Sequence, residues 1–275
     1  MTPSTFHPPA ETSEIRAALI QARFYAAHPG TFFRQLPAIL FRRLPTKAYC
    51  RLTAERSVSP TDAAMALSPD LDRARAGELL DGFHRNQRFA TELDARFREF
   101  RGRPASLHLG HELLYLLVRA CRPSMVFETG VFDGFTSACI LLALDENRGG
   151  TLVSVDLPAV RPVDDSIDQP LPAGCQPGWV IPDYLRGPHE LHLGDSRELL
   201  PRLLARYPRI DLFFHDSLHT FEHMSFEYQT AWPHLTDGGI LASDDILWNT
   251  AFPKFCRGKG KRYVRVGAAG AVRKS

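Results

Sequence analysis

Apolar residues recur along this chain with two different periods, and the change from one to the other divides it. Residues 13–28, S-E-I-R-A-A-L-I-Q-A-R-F-Y-A-A-H, keep a helical period and stop at Pro29-Gly30. Residues 31–44 are apolar and arginine-bearing, and read as two short helical pieces split at Pro37. That composition suits a membrane surface, but packing onto the main domain is the plainer reading. Ser59-Pro60 has the order of an N-cap followed by proline in the first helical turn. Residues 71–100 continue in helical style, with Leu79, Leu80, Phe83, Phe89, Leu93 and Phe97 at the apolar positions. After a break at Arg101-Gly102-Arg103-Pro104, residues 106–121 form a strongly apolar helix. It carries His108, His111 and Glu112, whose spacing matches neither H-E-x-x-H nor another zinc pattern. Helix-surface or partly buried histidines are expected there.

From Met125 onward the apolar positions become short runs that alternate with helical stretches. A strand over 125–128, a glycine-punctuated turn over 129–134, an amphipathic helix over 136–144 and a strand ending on Asp156 make one βαβ unit. Residues 157–189 carry too many prolines for regular structure, and so long a loop in a compact domain reads as a lid or substrate loop. There follow a strand over 190–194, a helix over 197–207 capped by Asp195-Ser196, a strand over 210–215 and a helix over 220–232. A turn at Thr236-Asp237-Gly238-Gly239 introduces a strand over 239–242, and 262–273 alternates as a terminal hairpin would. The fold class is therefore α/β. We expect a Rossmann-like, doubly wound, mostly parallel sheet with a C-terminal antiparallel hairpin, preceded by an N-terminal helical region. Residues 1–104 would be the helical region, serving as substrate cap or oligomerisation surface, and 105–275 the ligand-binding domain.

Composition alters this picture little. Charged residues at 23% and hydrophobic residues at 44% are ordinary for a soluble globular protein, and a net charge of +2 demands no polyanionic partner. After Asp245 the chain carries eight Lys or Arg and no acid, which reads as a solvated edge in preference to a nucleic-acid site. Cys50, Cys121, Cys139, Cys175 and Cys256 form no C-x-x-C pair, so zinc and redox signatures are absent and a reducing cytoplasm is the expected setting. There is no basic-then-apolar leader and no apolar stretch of membrane-spanning length.

The strand ends carry the chemistry. Four of five strands end on acids, at Glu128, Asp156, Asp216 and the pair Asp244-Asp245, and Asp195 follows the remaining one. Helix capping accounts for Asp195 and for one or two others, but hardly for all. A dinucleotide pyrophosphate needs G-x-G-x-x-G, whereas the first turn here reads E-T-G-V-F-D-G-F-T. Acids at 128 and 133 disfavour pyrophosphate and suit a sulfonium cation with an amino group. Asp156 is placed to accept hydrogen bonds from ribose hydroxyls. The balance favours S-adenosylmethionine. Three carboxylates from two adjacent strand ends also offer the hard oxygen ligands that magnesium prefers.

These residues resemble the class I S-adenosylmethionine-dependent methyltransferases, and within them the cation-dependent O-methyltransferases of catechol and macrolide-sugar type. The resemblance lies within 105–250. It implies that Glu128, Gly130, Phe132, Gly134 and Thr136 hold the methionine portion of the cofactor, that Asp156 binds ribose, and that Asp195 and Ser196 border adenine. It implies a divalent cation, Mg2+, on Asp216, Asp244 and Asp245. Where the family carries a Lys or His base, three residues after the first metal acid, this chain has His219. His219 is thus the expected base beside Asp216, with His215 and His223 competing; His215 would flank the cofactor and His223 would support His219. Trp248 and Asn249 suit a substrate pocket, although a packing Trp is equally compatible.

The leading expectation is a cytoplasmic Mg-assisted O-methyltransferase acting on a small hydroxylated metabolite, a sugar or natural-product intermediate, with a homo-oligomer allowed by the apolar N-terminal helices. No N/D-P-P-Y/F follows the fourth strand, which argues against a nucleic-acid substrate. The alternatives are an oxidoreductase or hydroxylase on the same nucleotide-binding fold, weakened by the missing G-x-G-x-x-G and facial triad, and a non-catalytic cofactor-binding protein.

Overall fold

A computed structural model of the chain describes residues 44–158 and 170–275. The helices expected over 13–28 and nearly all of 31–44 lie outside the described residues.

The first described helix, α1 (Leu44–Thr53), leads to α2 (Pro60–Leu67), where Ser59 caps by accepting from the Asp62 amide. The helical stretch expected over 71–100 is two helices, α3 (Arg73–Arg85) and α4 (Gln87–Arg101). The break falls at Asn86, which ends α3 and caps α4 by accepting from the Phe89 amide at 3.1 Å. Asn bonds its own neighbouring backbone better in a cap than inside a helix. The apolar face survives the break, with Leu79, Phe83, Phe89, Leu93 and Phe97 buried and Leu80 partly so. Helix α5 (Leu109–Cys121) starts on a histidine cap. His108 accepts from the Gly110 amide, His111 accepts from the His108 amide, and Glu112 pairs with His84 at 3.0 Å. The histidines therefore close a helix end.

The sheet follows in the expected alternation: β1 (Met125–Thr129), α6 (Phe135–Asn147), β2 (Thr151–Asp156), β3 (His189–Leu193), α7 (Ser196–Arg206), β4 (Ile210–His215), α8 (Phe221–Ala231), β5 (Leu235–Ser243), α9 (Ala251–Gly258), β6 (Val264–Val266) and β7 (Ala269–Arg273). Its order is β3-β2-β1-β4-β5-β7-β6, with the first five strands parallel and β7 antiparallel to both neighbours. The order reverses between β1 and β4. A ligand crevice opens beyond the carboxyl ends of such a pair. Two details differ from expectation. Thr236 to Gly239 lie inside β5, as an irregularity between the pairs Ile210↔Leu235 and Leu212↔Ile240. Helix α6, expected to be amphipathic, is buried continuously from Thr136 to Leu144. It is enclosed by the sheet on one side and by α5 on another, so no polar stripe is selected.

Helices α2 to α6 share one hydrophobic cluster, in which Ala63, Leu67, Phe83 and Leu93 join Leu116 and Ile140. A second cluster joins α7, α8 and α9 to Phe127, Val153 and Phe213 of the sheet. In the proline-rich stretch the one regular piece among the described residues is a 3-10 turn, Asp183–Leu185, yet Trp179, Val180 and Ile181 are buried in the first cluster. All five cysteines are free, and no described helix is long and apolar enough to cross a membrane.

Candidate active site

The turn after β1 is held by its own molecule on both sides. Gly130 has φ +83°, and a Cβ there would stand 2.0 Å from the Asp216 carbonyl oxygen, so this loop lies directly against the end of β4. Gly134, at φ +101°, would drive a Cβ to 2.5 Å from Gly178 Cα. Between them Phe132 adopts φ +47° with its ring partly exposed. Asp156 at the end of β2 pins the loop. Its Oδ2 accepts the Val131 amide at 2.6 Å and the Phe132 amide at 2.9 Å. Burial raises the Asp156 pKa while these two amides oppose the rise.

Glu128 points inward and is fully buried. Its Oε2 accepts from Ser137 at 2.6 Å and Ser154 at 2.8 Å, whereas Oε1 is buried with no hydrogen-bond partner among the described residues. Burial lifts its pKa to about 7, with the two hydroxyls opposing and the charge of Asp156 assisting. An unmet buried acceptor costs about 1–3 kcal/mol, and an N–H group of a ligand is what would satisfy it. Asp133, the other acid of the turn, contributes no free charge. It is held by Arg101 Nη2 at 2.7 Å and the Trp179 indole N–H at 2.8 Å. The negative character expected from residues 128 and 133 therefore comes from Glu128 and Asp156.

Of the other expected cofactor residues, Thr136 is buried in the first turn of α6 and Asp195 caps α7 by accepting from the Arg197 amide at 2.8 Å. Ser196 turns inward, with its hydroxyl 3.0 Å from His223 Nε2 and donating to Glu227 at 2.5 Å.

Across the crevice, the Asp244 amide donates to the His215 carbonyl at 2.9 Å, which locks the ends of β4 and β5 together. The Asp216 carboxyl is driven well above its ordinary value by burial, then by Asp244 and Asp245, then by Glu128 and Asp156. Asp245, in left-handed backbone at φ +49°, is raised to about 7 by burial and by Asp244, against the opposing Lys47 ammonium and a hydrogen bond with Trp248. Acids from four strand ends thus feel one another. Among the described residues, no group of three or more His, Cys, Asp or Glu is gathered closely enough to hold a metal ion as it stands. His219 Nε2 lies 3.6 Å from Asp216 Oδ1, with its ring edge-on to His215 at 5.3 Å and 5.9 Å from Trp248.

Residues 127–246 match the family model of a methyltransferase domain. The matched stretch runs from β1 to just past the acids at the end of β5. Similar solved structures include a candidate O-methyltransferase from Klebsiella pneumoniae, at 13% identity over 73% of this chain and 96% of that one, with a TM-score of 0.50. Others are the calicheamicin methyltransferase CalS11 (21%, 78% and 91%, 0.45) and a methyltransferase from Geobacter sulfurreducens (20%, 74% and 96%, 0.48). At these identities the likeness is one of fold. No curated protein matches the chain.

The matched stretch is organised around a residue its motifs do not reveal. Glu227, wholly buried on α8, collects Thr129, His215, Ser196, Ser217 and His223, at 2.5, 2.5, 2.5, 2.8 and 2.8 Å. One carboxylate thereby ties the ends of β1 and β4 and the start of α7 to α8. Its i,i+4 spacing from His223 was visible in the sequence, but the partners from three other elements were not. His223 is accordingly bound to Glu227 and Ser196 in place of His219, and His215 is fully buried behind the rim. Asn249 donates to the His219 carbonyl at 3.1 Å and so steadies the rim, while Trp248 lies under the Lys47 ammonium, 3.5 Å from ring centroid to Nζ.

Proposed function

We propose that this protein is a magnesium-assisted O-methyltransferase that moves a methyl group from S-adenosylmethionine to a hydroxyl of a small metabolite in the cytoplasm. One observation carries the cofactor reading. The buried, unmatched Oε1 of Glu128 lies beside a glycine turn at the point where the sheet order reverses. That oxygen fits the ammonium of the cofactor's methionine end, and a carboxylate lifted to about 7 is readily ionised by an arriving cation. Asp156 orders the turn through Oδ2, and its carboxylate supports the ribose role.

The rim chemistry supports a divalent ion. Asp216, Asp244 and Asp245 offer carboxylates alone, and the charge of each opposes that of the others, a repulsion which a hard cation relieves. When bound, S-adenosylmethionine supplies an electrophilic methyl and Mg2+ on these acids acidifies the acceptor hydroxyl. Among the chain's own groups, His219 takes the hydroxyl proton and the Asp216 carboxylate orients its ring. The free cysteines support a reducing compartment.

Calorimetric titration with S-adenosylmethionine, with and without Mg2+, combined with a metabolite library and an isotopically labelled methyl donor, tests the reading. Saturable cofactor binding and label on an oxygen of the product are expected. Binding of NAD in place of S-adenosylmethionine would overturn it.

A further inference from the structure

The turn after β1 is gripped by a residue that lies ahead of the matched stretch. Arg101, the last residue of α4, sends its guanidinium across to the turn. Its Nη2 donates to Asp133 Oδ1 at 2.7 Å, its Nη1 donates to the Pro170 carbonyl at 3.0 Å, and its Cζ stands 5.5 Å from the centroid of the Phe132 ring. The ion pair is buried, with the Arg101 and Asp133 side chains 9% and 7% exposed. A planar guanidinium can serve two acceptors and a ring at once, which an ammonium cannot.

Residues 178–180 of the proline-rich stretch lie along the same turn as a strap. Gly178 donates to the Phe132 carbonyl at 2.8 Å and Val180 to the Asp133 carbonyl at 3.1 Å. Between them the Trp179 indole N–H reaches Asp133 Oδ1 at 2.8 Å. Helix α4 packs on that indole as well: Phe97 is stacked with it, 6.0 Å between centroids and 9° between planes, and Phe100 meets it edge-on at 5.1 Å. One carboxylate oxygen therefore receives a donor from the helical region and another from the strap.

Phe132 needs such support, because a non-glycine residue at φ +47° keeps that backbone only where its surroundings impose it. Asp156 takes the Phe132 amide and the strap takes the Phe132 carbonyl, so both polar groups of its backbone are held. We propose that Arg101 is a positioning residue for cofactor binding: by joining Asp133 to the Pro170 carbonyl it keeps the strap on the turn, and the turn in the shape that takes S-adenosylmethionine. Cofactor affinity then depends on α4, outside the matched stretch. By linkage the cofactor must tighten the strap in return. The inference rests on the cofactor reading given above.

The test uses the full chain and S-adenosylmethionine. Calorimetry gives the Kd for wild type, Trp179→Phe, Arg101→Lys and the double variant, and hydrogen exchange follows the Gly178 and Val180 amides with and without cofactor. Trp179→Phe keeps a ring against Phe97 and Phe100 but removes the donor, and Arg101→Lys keeps the charge but loses the fork. Each should weaken binding about tenfold, the worth of one hydrogen bond to a charged group. The double variant should lose less than the product of the two, since both donors serve one oxygen. Cofactor should slow exchange of the two amides in wild type, and that slowing should shrink in both single variants. Single variants that lose stability in denaturant unfolding yet keep the wild-type Kd and the wild-type slowing overturn the inference and leave the cofactor reading standing. Absence of S-adenosylmethionine binding by wild type overturns both.

Discussion

His215 Nδ1 and Glu227 Oε2 lie 2.5 Å apart, with both side chains fully buried. The pair joins the end of β4 to α8, and Thr129, Ser196, Ser217 and His223 converge on the same carboxylate. Burial works to raise the Glu227 pKa, but His215 and His223 outweigh it and hold the group well below the ordinary carboxylate range. Glu227 is therefore ionised, and deleting it strands several donors. Glu227→Ala should lose about 3–5 kcal/mol in denaturant unfolding, and Glu227→Gln less, because its shape and an acceptor remain. The sign with pH follows from a depressed folded pKa. The stabilisation is full above the unfolded value of 4.5 and is lost as pH falls from there toward the folded one, a component the Gln variant lacks. An Ala variant as stable as wild type would remove Glu227 as the tie between these elements.

Glu128 titrates the opposite way. Burial lifts its folded pKa to about 7 from an ordinary 4.5, so between those values the folded chain holds a proton that the unfolded chain has released. Stability contributed by Glu128 falls as pH rises through that window and is level above it. Glu128→Gln escapes this loss and should be the more stable protein at alkaline pH without ligand. Its affinity for S-adenosylmethionine should drop, since the amide cannot meet an ammonium with charge. In wild type, cofactor affinity should rise about tenfold between one unit below the Glu128 pKa and one unit above it. Calorimetry across that range decides the matter, and a pH-independent Kd would take Glu128 out of the cofactor site.

What the sequence made legible was whatever depends on neighbours along the chain. The Ile210–His215 strand, the Ser59 cap and the hairpin near the C-terminus follow from local period and turn chemistry, and all appear in the structure. The acids at the strand ends were equally visible, because a parallel sheet delivers the ends of its strands to one rim. What stayed hidden depends on contacts across the fold. Asp133 looks like a ligand-facing acid until Arg101 and Trp179, from α4 and the proline-rich stretch, are seen to hold it. Glu227 reads as one more acid on a helix until three other elements converge on it. The turn glycines looked like ligand-approach positions, and the close approaches at Gly130 and Gly134 are to Asp216 and Gly178 of the same chain.

Asp156 carries two roles that one pair of substitutions separates. Its Oδ2 holds the Val131 and Phe132 amides, and Phe132 is a non-glycine residue in left-handed backbone, so the turn depends on that carboxylate. Asp156→Ala should lose about 1–3 kcal/mol of stability together with cofactor affinity. Asp156→Asn keeps an acceptor for the turn and should regain most of that stability. If it also regains full affinity for S-adenosylmethionine, ribose recognition lies elsewhere.

The rim makes the sharpest claim about turnover. His219 Nε2 is 3.6 Å from Asp216 Oδ1, too long for a hydrogen bond, and the Asn249 side chain holds the His219 backbone from the other side. Both contacts hold the ring at the rim, where a general base has to stand. His219→Ala should therefore lower kcat by about 10²–10⁴ and leave the Kd for S-adenosylmethionine nearly unchanged. The deficit should be steepest below the pKa of the acceptor hydroxyl and shrink above it, where the substrate arrives already ionised. Asp244→Ala should abolish the response of turnover to Mg2+ while sparing cofactor affinity, since the charge of Asp244 acts on Asp216 and Asp245. Comparing the two pH profiles assigns the proton. A His219→Ala enzyme whose activity falls by the same factor at every pH places the base on another residue, and an Asp244→Ala enzyme that still responds to Mg2+ removes the metal from the rim.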